Sequence, residues 1–522
     1  MKLTILATSD MHGYVMPTNY ADATDQPYGV AKVATKIKEL TAAAPGPVVK
    51  IENGDFIQGS PLSYYVAKQG DQNPATLTQV VNQIGYDVGL LGNHEFNYGP
   101  DYLQKAINSY EHPILAANVL GENGRPYFGQ PYVIIEKAGV KVAILGVVTQ
   151  YIPHWEQPAH IEGLHFQSLV ETAQQYVPKL RELADVVIVA YHGGFERDLE
   201  TGEPTELLTG ENEAYELLQS VSGIDALITG HQHREIAGIV NGVPVIQPGS
   251  FGRFVGEIVL DVEKIDDGMK VTGASASIHP VADCQPDTAI LASVADLNQA
   301  LETWLDQPVG RVEGDMRIAD SMQARLKEHP YVEFINKVQM EASGAPISGT
   351  ALFNNEGKGF DETITMRNII TNYIYPNTLA VSRITGADLR QALEQTANYL
   401  ALDEENQIIF NPRFIKPKPQ YYNYDMYEGV DYTLDLRQPV GARVTRLEFS
   451  GKPVADTDSL EVVVNQYRAV GGGNYAMFTP EKIEREVQID MTELIADYLR
   501  RHPVIQATVN ENFQILPQSK KQ

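Results

Sequence analysis

The amino-acid sequence predicts an α/β fold for the first half of the chain and a separate α+β domain for the second. Up to about residue 285, short apolar, β-branched runs alternate with segments of helical periodicity. These runs lack the apolar and polar alternation of a half-exposed sheet, which indicates strands buried on both faces. With 522 residues, the chain is also long enough for more than one domain.

Six apolar runs in the first half are predicted strands, and they read KLTILAT, PVVKIE, DVGLLG, KVAILGVV, DVVIVAY and DALITG in chain order. Between them, apolar residues at a spacing of three to four predict helices at Val30–Ala42, Thr76–Gly85, Tyr102–Ser109 and Ser168–Leu183. The alternation ends near residue 285, so we place the first domain at residues 1–285.

A helical period from Asp287 to Leu305 predicts a linker helix at residues 286–306. The second domain, residues 307–518, opens with the strand-like QPVGRVEG. Its further predicted strands are ISGTALFNN, TLAVSRITG, ARVTRLEFSG and SLEVVVNQY, and its predicted helices are Tyr331–Met340, Ala387–Gln395 and Met491–Arg500.

The net charge of −27 argues against a protein held on a nucleic-acid polymer or an anionic membrane by a basic face. Cys284 is the single cysteine, which excludes intramolecular disulfides and cysteine metal clusters. No run approaches the 18 or so apolar residues of a membrane span, and the apolar start is too short for a signal peptide. We therefore expect a cytoplasmic monomer, or an extracellular protein if a leader has been removed.

Five of the apolar runs end in side chains that can bind metal ions. They are Asp10 and His12 in SDMHG, Asp55 in NGDFIQGS, Asn93 and His94 in GNHE, His192 in AYHGG, and His231 and His233 in GHQH. Ligands of a layered α/β protein bind beyond the carboxyl ends of its strands, so we expect these groups to meet in one crevice. The remaining histidines, such as His160, have no such context and are interpreted as packing or solvent-facing residues.

Carboxylate, imidazole and amide ligands without a thiolate suit divalent cations. Seven or so ligands exceed what one tetrahedral ion needs, which favours two cations that share a carboxylate. Such a pair, about 3.5–4 Å apart, acidifies water and holds the attacking and leaving oxygens of an in-line displacement at phosphorus. The predicted cofactors are two divalent ions, Mn²⁺ or Zn²⁺ first and Fe²⁺, Co²⁺ or Mg²⁺ as alternatives, and the predicted chemistry is phosphoester hydrolysis.

With these motifs the sequence resembles the calcineurin-like metallophosphoesterases, specifically their two-domain 5′-nucleotidase branch, over nearly the whole chain. The resemblance implies a four-layer α/β/β/α domain joined by the linker helix to an α+β nucleotide-binding domain. It also implies two metal positions that share Asp55 as a bridge. Their ligands would be Asp10, His12, Asp55 and His233 at one position and Asp55, Asn93, His192 and His231 at the other.

The resemblance further implies that His94 contacts the phosphate and stabilises the transition state or protonates the leaving oxygen, a task that suits imidazole. In 5′-nucleotidases the equivalent histidine is paired with an aspartate three residues later, whereas this chain has Asn97. An amide can orient the ring but brings no charge. The string GNHEFNYG resembles instead the branch that hydrolyses 2′,3′-cyclic nucleotides and 3′-nucleotides, although a neutral substitution at Asn97 is the alternative interpretation.

The segments MRNIITNYIYPNTL, YYNYDMYEGVDYTLD and NQYRAVGGGNY resemble the nucleotide-binding domain of that same branch, in which two aromatic side chains stack on the base. The matching positions are Tyr424 and Tyr467. Gly472, Gly473 and Asn474 would let the backbone approach a ribose, although some 5′-nucleotidases have an aspartate at position 473. Further candidate polar contacts to the nucleotide are Asn354, Arg367 and Arg468.

The resulting hypothesis is a phosphohydrolase that cleaves 2′,3′-cyclic nucleotides and then 3′-nucleotides to nucleoside and phosphate, with His94 assisting departure of the 2′ oxygen. One alternative is a 5′-nucleotidase or nucleotide-sugar hydrolase of the same fold. A second is a nucleotide-binding or surface-interaction protein with a vestigial metal site. Under the main hypothesis and the first alternative, the partner is a small nucleotide and not a nucleic-acid polymer.

Overall fold

The computed structural model describes residues 1–206, 208–265, 268–353, 355–375, 377–416, 418–487 and 489–517. Asn354, one of the predicted substrate contacts, lies outside these ranges. The chain divides into two compact units, Met1–Leu301 and Glu302–Gln522. Each unit has its own sheets and helices and is described separately.

Within the described part of the first unit, six strands form one sheet. Their spatial order is Gly268–Pro280, Phe254–Ile265, Lys2–Thr8, Val48–Glu52, Val88–Leu90 and Ile114–Leu115. The last four are parallel to one another, and the first two form an antiparallel hairpin beside Lys2–Thr8. The carboxyl ends of the parallel strands therefore lie along the same edge of this sheet.

A second sheet of the first unit also contains six strands among the described residues. Their order is Glu235–Val240, Val243–Pro248, Ala226–Ile228, Val186–His192, Val140–Val148 and Tyr132–Lys137. The four central strands are parallel, and the outer two are antiparallel to their neighbours. Buried side chains of both sheets, including Ile5, Ile51, Ile144, Ile188 and Ile258, form a common apolar core between them.

Helices cover the outer faces of the two sheets and complete four layers, so the predicted α/β/β/α domain is confirmed. Leu169–Leu183 packs on the second sheet and buries Leu169, Ala173, Val177 and Leu180. Its first turn is capped by Ser168, whose Oγ accepts hydrogen bonds from two backbone amides. The other helices of five or more residues are Val30–Ala43, Pro61–Lys68, Ala75–Asn82, Pro100–Ser109, Ala214–Ser220, Thr288–Ser293 and Ala295–Leu305 in the described chain up to residue 305.

The segment predicted as a linker helix contains two helices, Thr288–Ser293 and Ala295–Leu305. They are separate because the backbone of Val294 leaves the helical range, with φ −113° and ψ 6°. The division between the two units falls inside the second of these helices, after Leu301.

The second unit is α+β, as predicted. In its described residues the largest sheet has the order Asp425–Glu428, Ile347–Ala351, Ser459–Asn465, Leu379–Thr385 and Ile483–Val487. Two smaller sheets have the orders Lys452–Pro453, Val444–Phe449, Asp431–Asp435, Phe513–Leu516 and Thr363–Thr365, Pro308–Glu313, Val504–Gln506. The main helices are Pro330–Ser343, Met366–Asn372, Gly386–Asn398 and Met491–Arg501.

Short paired strands complete the architecture at Val119–Leu120 with His165–Phe166, Met316–Arg317 with Gly359–Phe360, and Leu400–Leu402 with Ile408–Phe410. Single helical turns include His94–Phe96, Ile152–His154, Pro158–His160 and Gly472–Asn474. None of the helices in the described ranges is both long enough and apolar enough to cross a membrane.

Candidate active site

The predicted metal ligands follow parallel strands of the first unit, at the point where each strand ends. Three strands of the first sheet lead to Asp10 and His12, to Asp55, and to Asn93, and two strands of the second sheet lead to His192 and to His231 and His233. All seven side chains except that of His233 are buried, and His233 is partly buried. The two sheets thus bring residues from five separate parts of the sequence to one place.

The carboxylates of Asp10 and Asp55 form the centre of this cluster. His192 Nε2 lies 3.1 Å from Asp55 Oδ2 and 3.8 Å from Asp10 Oδ1. On the other side, His12 Nε2 is 3.9 Å from Asp55 Oδ2, and His233 Nε2 is 3.5 Å from Asp10 Oδ1. Two sets of three ligand atoms, one from Asp10, His12 and His233 and one from Asp10, Asp55 and His192, each fit within 4.8 Å. Asp10 belongs to both sets, and Asp55 faces both His12 and His192, so the bridging role of Asp55 stays a prediction.

Backbone carbonyls fix the proton positions of two of these histidines. His12 Nδ1 donates to Gln58 O at 3.0 Å and His192 Nδ1 donates to Asn53 O at 2.6 Å. A carbonyl only accepts, so each Nδ1 carries a proton, and in each ring Nε2 is the nitrogen on the side of the carboxylates. His192 Nε2 is buried and makes no hydrogen bond with any described residue, despite its closeness to Asp55.

Burial and the two carboxylates shift the pKa values of the histidines and of Asp10 in this cluster. Burial lowers the pKa of His12 to about 3, which keeps this ring neutral. Burial alone would also lower the pKa of His192, but Asp55 and Asp10 outweigh it and raise that pKa to about 10. Burial raises the pKa of Asp10. Buried carboxylates need positive charge beside them, which protonated His192 supplies here; carboxylates and imidazoles are also donors that fit divalent cations, which would supply that charge in its place.

Asn93 and His231 lie beside this centre and bond to each other. His231 Nδ1 is 2.8 Å from Asn93 Oδ1, and its Nε2 is 2.8 Å from Glu211 Oε1. The backbone amide of His231 donates to both Asp10 carboxylate oxygens, at 3.0 and 3.1 Å. The ring of Trp155 stacks on His231 with centroids 5.2 Å apart. Glu211 and Trp155 come from loops without a strand-end motif, so neither was predicted from the sequence.

The backbone at these residues is unusual. Asp10, His12, Asp55, His231 and His233 all have positive φ angles, between 49° and 66°. Few residues other than glycine adopt this left-handed conformation, and such residues concentrate at functional sites because the surrounding structure must hold them there. Packing is equally tight, since a Cβ atom on Gly92 would lie 2.2 Å from Asp55 Oδ1. This strained backbone directs the side chains of consecutive loops toward one point.

Glu95, the last residue of GNHE, holds two of the loops together. Its carboxylate accepts backbone N–H groups from Asp55 at 2.8 Å, Phe56 at 2.6 Å and Gly92 at 2.7 Å. The side chain is only 3% exposed. Glu95 therefore fixes the position of the Asp55 loop relative to the Asn93 turn, a role the sequence analysis did not assign.

His94 and Asn97, the predicted catalytic pair, are in direct contact. His94 Nδ1 lies 2.7 Å from Asn97 Oδ1, and the ring centroids of His94 and His12 are 5.3 Å apart. Asn97 Nδ2 donates to Glu156 Oε2 at 2.7 Å, and Glu156 Oε1 lies 2.8 Å from His160 Nδ1. Interpreting His160 as a packing or solvent-facing residue was therefore incomplete, because its neighbour Glu156 also binds Asn97, which is 59 positions away in sequence.

The two predicted base-stacking residues have different environments in the second unit. Tyr424 is 1% exposed, and its hydroxyl donates to Arg325 O at 3.2 Å, so in this structure it is a core residue. Tyr467 is partly buried, 5.5 Å from the Arg468 guanidinium. Only Tyr467 of the pair presents accessible surface to a ligand, and base stacking by either residue stays a prediction.

The predicted polar contacts are mostly engaged within the protein. Arg468 is 1% exposed and binds Asp425 through Nε–Oδ2 and Nη2–Oδ1 contacts of 2.6 and 3.1 Å. Arg367 Nη2 forms ion pairs with Glu302 at 2.6 Å and Asp306 at 2.7 Å. Both guanidinium groups therefore have structural partners in the second unit.

The glycine-rich turn packs closely against side chains of the protein itself, and its approach to a ribose stays a prediction. Gly472 is buried, Gly473 is partly buried and Asn474 is exposed. Gly473 has φ 70°, and a Cβ there would lie 2.3 Å from Asn423 Oδ1 and 2.4 Å from Arg468 Nη1. An aspartate at position 473, as found in some 5′-nucleotidases, would not fit this backbone without rearrangement.

Comparison with known proteins shows the family of both units. Residues 3–235 match the family described as calcineurin-like phosphoesterase, and residues 308–480 match the 5′-nucleotidase C-terminal domain. A 2′,3′-cyclic-nucleotide 2′-phosphodiesterase/3′-nucleotidase of Haemophilus influenzae is 30% identical, over 98% of this chain and 86% of that protein. The chain belongs to the calcineurin-like phosphoesterases that carry a 5′-nucleotidase C-terminal domain. The family predicted from the strand-end motifs is therefore confirmed.

Two further relatives of this phosphoesterase bear on its length and fold. The trifunctional nucleotide phosphoesterase protein YfkN of Bacillus subtilis is 30% identical over 99% of this chain, which spans only 39% of the length of YfkN. The crystal structure of a Staphylococcus aureus protein described as a 5′-nucleotidase, in complex with alpha-ketoglutarate, is 37% identical. It superimposes with a TM-score of 0.91 and covers 99% of this chain and 100% of that one.

Proposed function

We propose that this phosphoesterase is a metal-dependent hydrolase that converts 2′,3′-cyclic nucleotides and 3′-nucleotides to nucleoside and phosphate. The observation that carries the proposal is the cluster around Asp10 and Asp55, where imidazole Nε2 atoms of His12, His192 and His233 converge on two buried carboxylates. The Haemophilus influenzae relative and the string GNHEFNYG support the choice of cyclic and 3′ substrates.

The residues that would hold the cations are those of the cluster. One position would use Asp10, His12, Asp55 and His233, and the other Asp55, Asn93, His192 and His231. When bound, two divalent cations supply Lewis-acid activation of water and of the phosphate. We name Mn²⁺ or Zn²⁺ as the first candidates, because the donor set combines carboxylates with imidazoles and has no thiolate.

His94 would act on the departing oxygen. Its Nδ1 is occupied by Asn97 Oδ1, so Nε2 is the ring nitrogen left for the substrate. As the bond from phosphorus to the 2′ oxygen breaks, Nε2 would deliver a proton to that oxygen, and a water oxygen would form the new bond to phosphorus. The proton that this water loses would replace, through solvent, the one that Nε2 has given up. The 3′-monophosphate that results could be hydrolysed at the same residues.

The second unit would recognise the nucleoside. Tyr467 would stack on the base, since its ring is only partly buried. Stacking on one aromatic ring tolerates different bases. Gly472, Gly473 and Asn474 form the turn that would lie against the ribose. Arg468 would contribute indirectly, by holding this turn through its bond to the Gly472 carbonyl oxygen.

The test is a substrate panel with the purified, metal-loaded protein. Phosphate or p-nitrophenol release is measured with 2′,3′-cyclic AMP, 3′-AMP, 5′-AMP and bis(p-nitrophenyl) phosphate. We expect kcat/KM for the first two nucleotides to exceed that for 5′-AMP at least about tenfold, which corresponds to 1.4 kcal/mol of transition-state binding. Asp55→Asn should abolish turnover of all four compounds.

A preference for 5′-AMP would support the alternative of a 5′-nucleotidase, which the Staphylococcus aureus relative makes the second candidate. A protein that binds nucleotides and contains no metal on elemental analysis would support a vestigial site instead. Either result would overturn the proposed substrate assignment, and the second would also overturn the proposed catalysis.

A further inference from the structure

Four side chains of the first unit form one continuous hydrogen-bonded chain that ends at His94. His94 Nδ1 meets Asn97 Oδ1 at 2.7 Å, Asn97 Nδ2 donates to Glu156 Oε2 at 2.7 Å, and Glu156 Oε1 lies 2.8 Å from His160 Nδ1. Glu156 is 6% exposed. Its Oε1 also accepts the backbone N–H of Gln157 at 2.8 Å, so Oε2 is the oxygen left for Asn97.

The carboxylate of Glu156 determines which end of the Asn97 amide faces His94. A carboxylate only accepts hydrogen bonds, so Asn97 must present its Nδ2 group to Glu156. The Oδ1 atom then faces His94, and because this oxygen also only accepts, the proton of the His94 ring must be on Nδ1. The charge at Glu156 thus specifies, through one amide, the tautomer of a residue two hydrogen bonds away.

An asparagine without this neighbour would not impose one tautomer. Its amide can turn by 180°, which exchanges oxygen and nitrogen with almost no change of shape. With the nitrogen toward His94, Nδ1 would have to accept and the only ring proton would be on Nε2. In that tautomer, delivery of the Nε2 proton to the leaving oxygen would leave an imidazolate, whereas with Nδ1 protonated by its bond to Asn97 Oδ1 the ring is neutral once Nε2 has delivered its proton.

We propose that Glu156 is a positioning residue that sets the tautomer and the ring orientation of His94 through Asn97. The inference rests on the proposed function in one respect, since it takes from it the role of His94 Nε2 as the group that acts on the substrate. It explains how the chain uses asparagine at position 97. The negative charge lies on Glu156, one side chain further from the histidine, and the amide that Glu156 orients determines which nitrogen of His94 is protonated.

The test exchanges the acid and the amide between positions 97 and 156. Asn97→Asp alone places two carboxylates at a separation of 2.7 Å, and Glu156→Gln alone lets both amides turn. We expect kcat for bis(p-nitrophenyl) phosphate to fall about tenfold or more in Asn97→Asp and several-fold in Glu156→Gln. In the double variant the new carboxylate accepts from both His94 and the new amide, so kcat should return to within about threefold of the wild type.

Glu162→Gln is the matched control, since Glu162 is an exposed glutamate of the same loop. Thermal unfolding and metal content are measured for every variant. A merely structural role of Glu156 predicts that activity follows the melting temperature and that the double variant is worse than either single one. Wild-type kcat in Glu156→Gln, or a double variant no more active than Asn97→Asp while both are folded and metal-loaded, would overturn the proposal.

A second readout does not depend on turnover. Long-range ¹H–¹⁵N correlation spectra of the histidine rings in the metal-free protein distinguish the two tautomers, with His94 assigned from a His94→Gln variant. We expect the Nδ1-protonated form of His94 in the wild type and a mixture in Glu156→Gln. An identical tautomer in both proteins would refute the inference, whereas a wild type that is inactive on every phosphoester would refute only the proposed function.

Discussion

At the scale of single residues, Glu95 shows how one buried carboxylate can hold two loops of a candidate site together through backbone hydrogen bonds. Three short hydrogen bonds from Asp55, Phe56 and Gly92 end on its two oxygens, and the amide of Ile57 adds a fourth at 3.2 Å. Hydrogen bonds to a charged acceptor contribute more than neutral ones, about 1.5–3 kcal/mol each. The Asp55 loop therefore depends on this one side chain.

Replacing Glu95 by glutamine should disturb both stability and metal binding. The new amide group would oppose backbone N–H donors, leaving at least one of them buried and unpaired, at a cost of about 1–3 kcal/mol. We expect a lower free energy of unfolding in urea and at least about tenfold weaker Mn²⁺ binding by calorimetry. Glu182→Gln, at an exposed position of helix Leu169–Leu183, is the control. Unchanged Mn²⁺ affinity would contradict the role of Glu95 in placing Asp55.

The two tyrosines that the sequence predicted to stack on the base should respond differently to truncation. Tyr424→Ala removes a fully buried ring and should cost about 3–5 kcal/mol of stability, as other large core truncations do. Tyr467→Ala should leave the melting temperature nearly unchanged but raise KM for nucleotides about 5- to 100-fold, the equivalent of one lost stacking contact. Calorimetry and initial-rate kinetics measure both effects. Equal KM for wild type and Tyr467→Ala would exclude Tyr467 as a stacking residue.

At the scale of elements, three glutamates converge where a helix, a strand and the chain near its carboxyl end meet in the second unit. Glu333 lies in helix Pro330–Ser343 and is paired with Lys337, Glu428 ends strand Asp425–Glu428, and Glu328 precedes the helix. Asn510 binds two of them, donating its backbone N–H to Glu328 and its Nδ2 to Glu428. Carboxylate oxygens of all three lie within 4.8 Å of one another.

This arrangement makes stability depend on pH. Burial, followed by the neighbouring Glu333, raises the pKa of Glu328 from 4.5 to about 7. The folded protein therefore binds this proton more tightly than the unfolded chain does, and the free energy of unfolding falls as pH rises from about 4.5 to 7. Glu328→Gln removes this dependence.

We compare the melting temperature of Glu328→Gln with that of the wild type at each pH. The variant-minus-wild-type difference should be about 1–3 °C more positive at pH 8 than at pH 5. Differential scanning calorimetry at both pH values measures the difference. Glu493→Gln, in helix Met491–Arg501, serves as the control and should show no such change. A difference that is the same at pH 5 and pH 8 would show that Glu328 carries no extra proton in the folded protein.

At the scale of the whole molecule, the two units contain different sets of predicted site residues. The candidate metal ligands belong entirely to Met1–Leu301, while the predicted nucleotide contacts belong to Glu302–Gln522. A net charge of −27 does not conflict with an anionic substrate, because two divalent cations would add +4 beside the ligand carboxylates Asp10 and Asp55. The negative charge of the chain disfavours polymer binding but leaves a small nucleotide acceptable.

Metal removal should affect only one of the two units. A ligand that binds the folded state at 100 times its dissociation constant stabilises it by about 2.7 kcal/mol. Chelation should therefore lower the unfolding transition of the first unit by about 5 °C or more and leave that of the second unchanged. Calorimetry with and without EDTA measures this, and Asp55→Asn should remove the sensitivity. If EDTA changed the temperature of neither unfolding transition, the result would contradict the candidate metal site.

The sequence by itself determined the local elements and the chemistry available to them. The run KLTILAT is the strand Lys2–Thr8, and the periodic segment from Val30 is the helix Val30–Ala43, because burial patterns repeat within a few residues. The position of metal-capable side chains after strands was equally local, and with the resemblance it sufficed to predict the family.

Only the tertiary structure decided which of these side chains meet and how each is held. Strand order in two sheets brings Asp10 near His192, and Glu156 reaches Asn97 across 59 positions of sequence. Contacts across such separations leave no periodic signal, so Glu95, Glu156 and Glu211 went unassigned. The burial of Tyr424 and the pairing of Arg468 with Asp425 could not be predicted for the same reason. The residue type limits which interactions a side chain can make, and its neighbours in space determine which of them it does make.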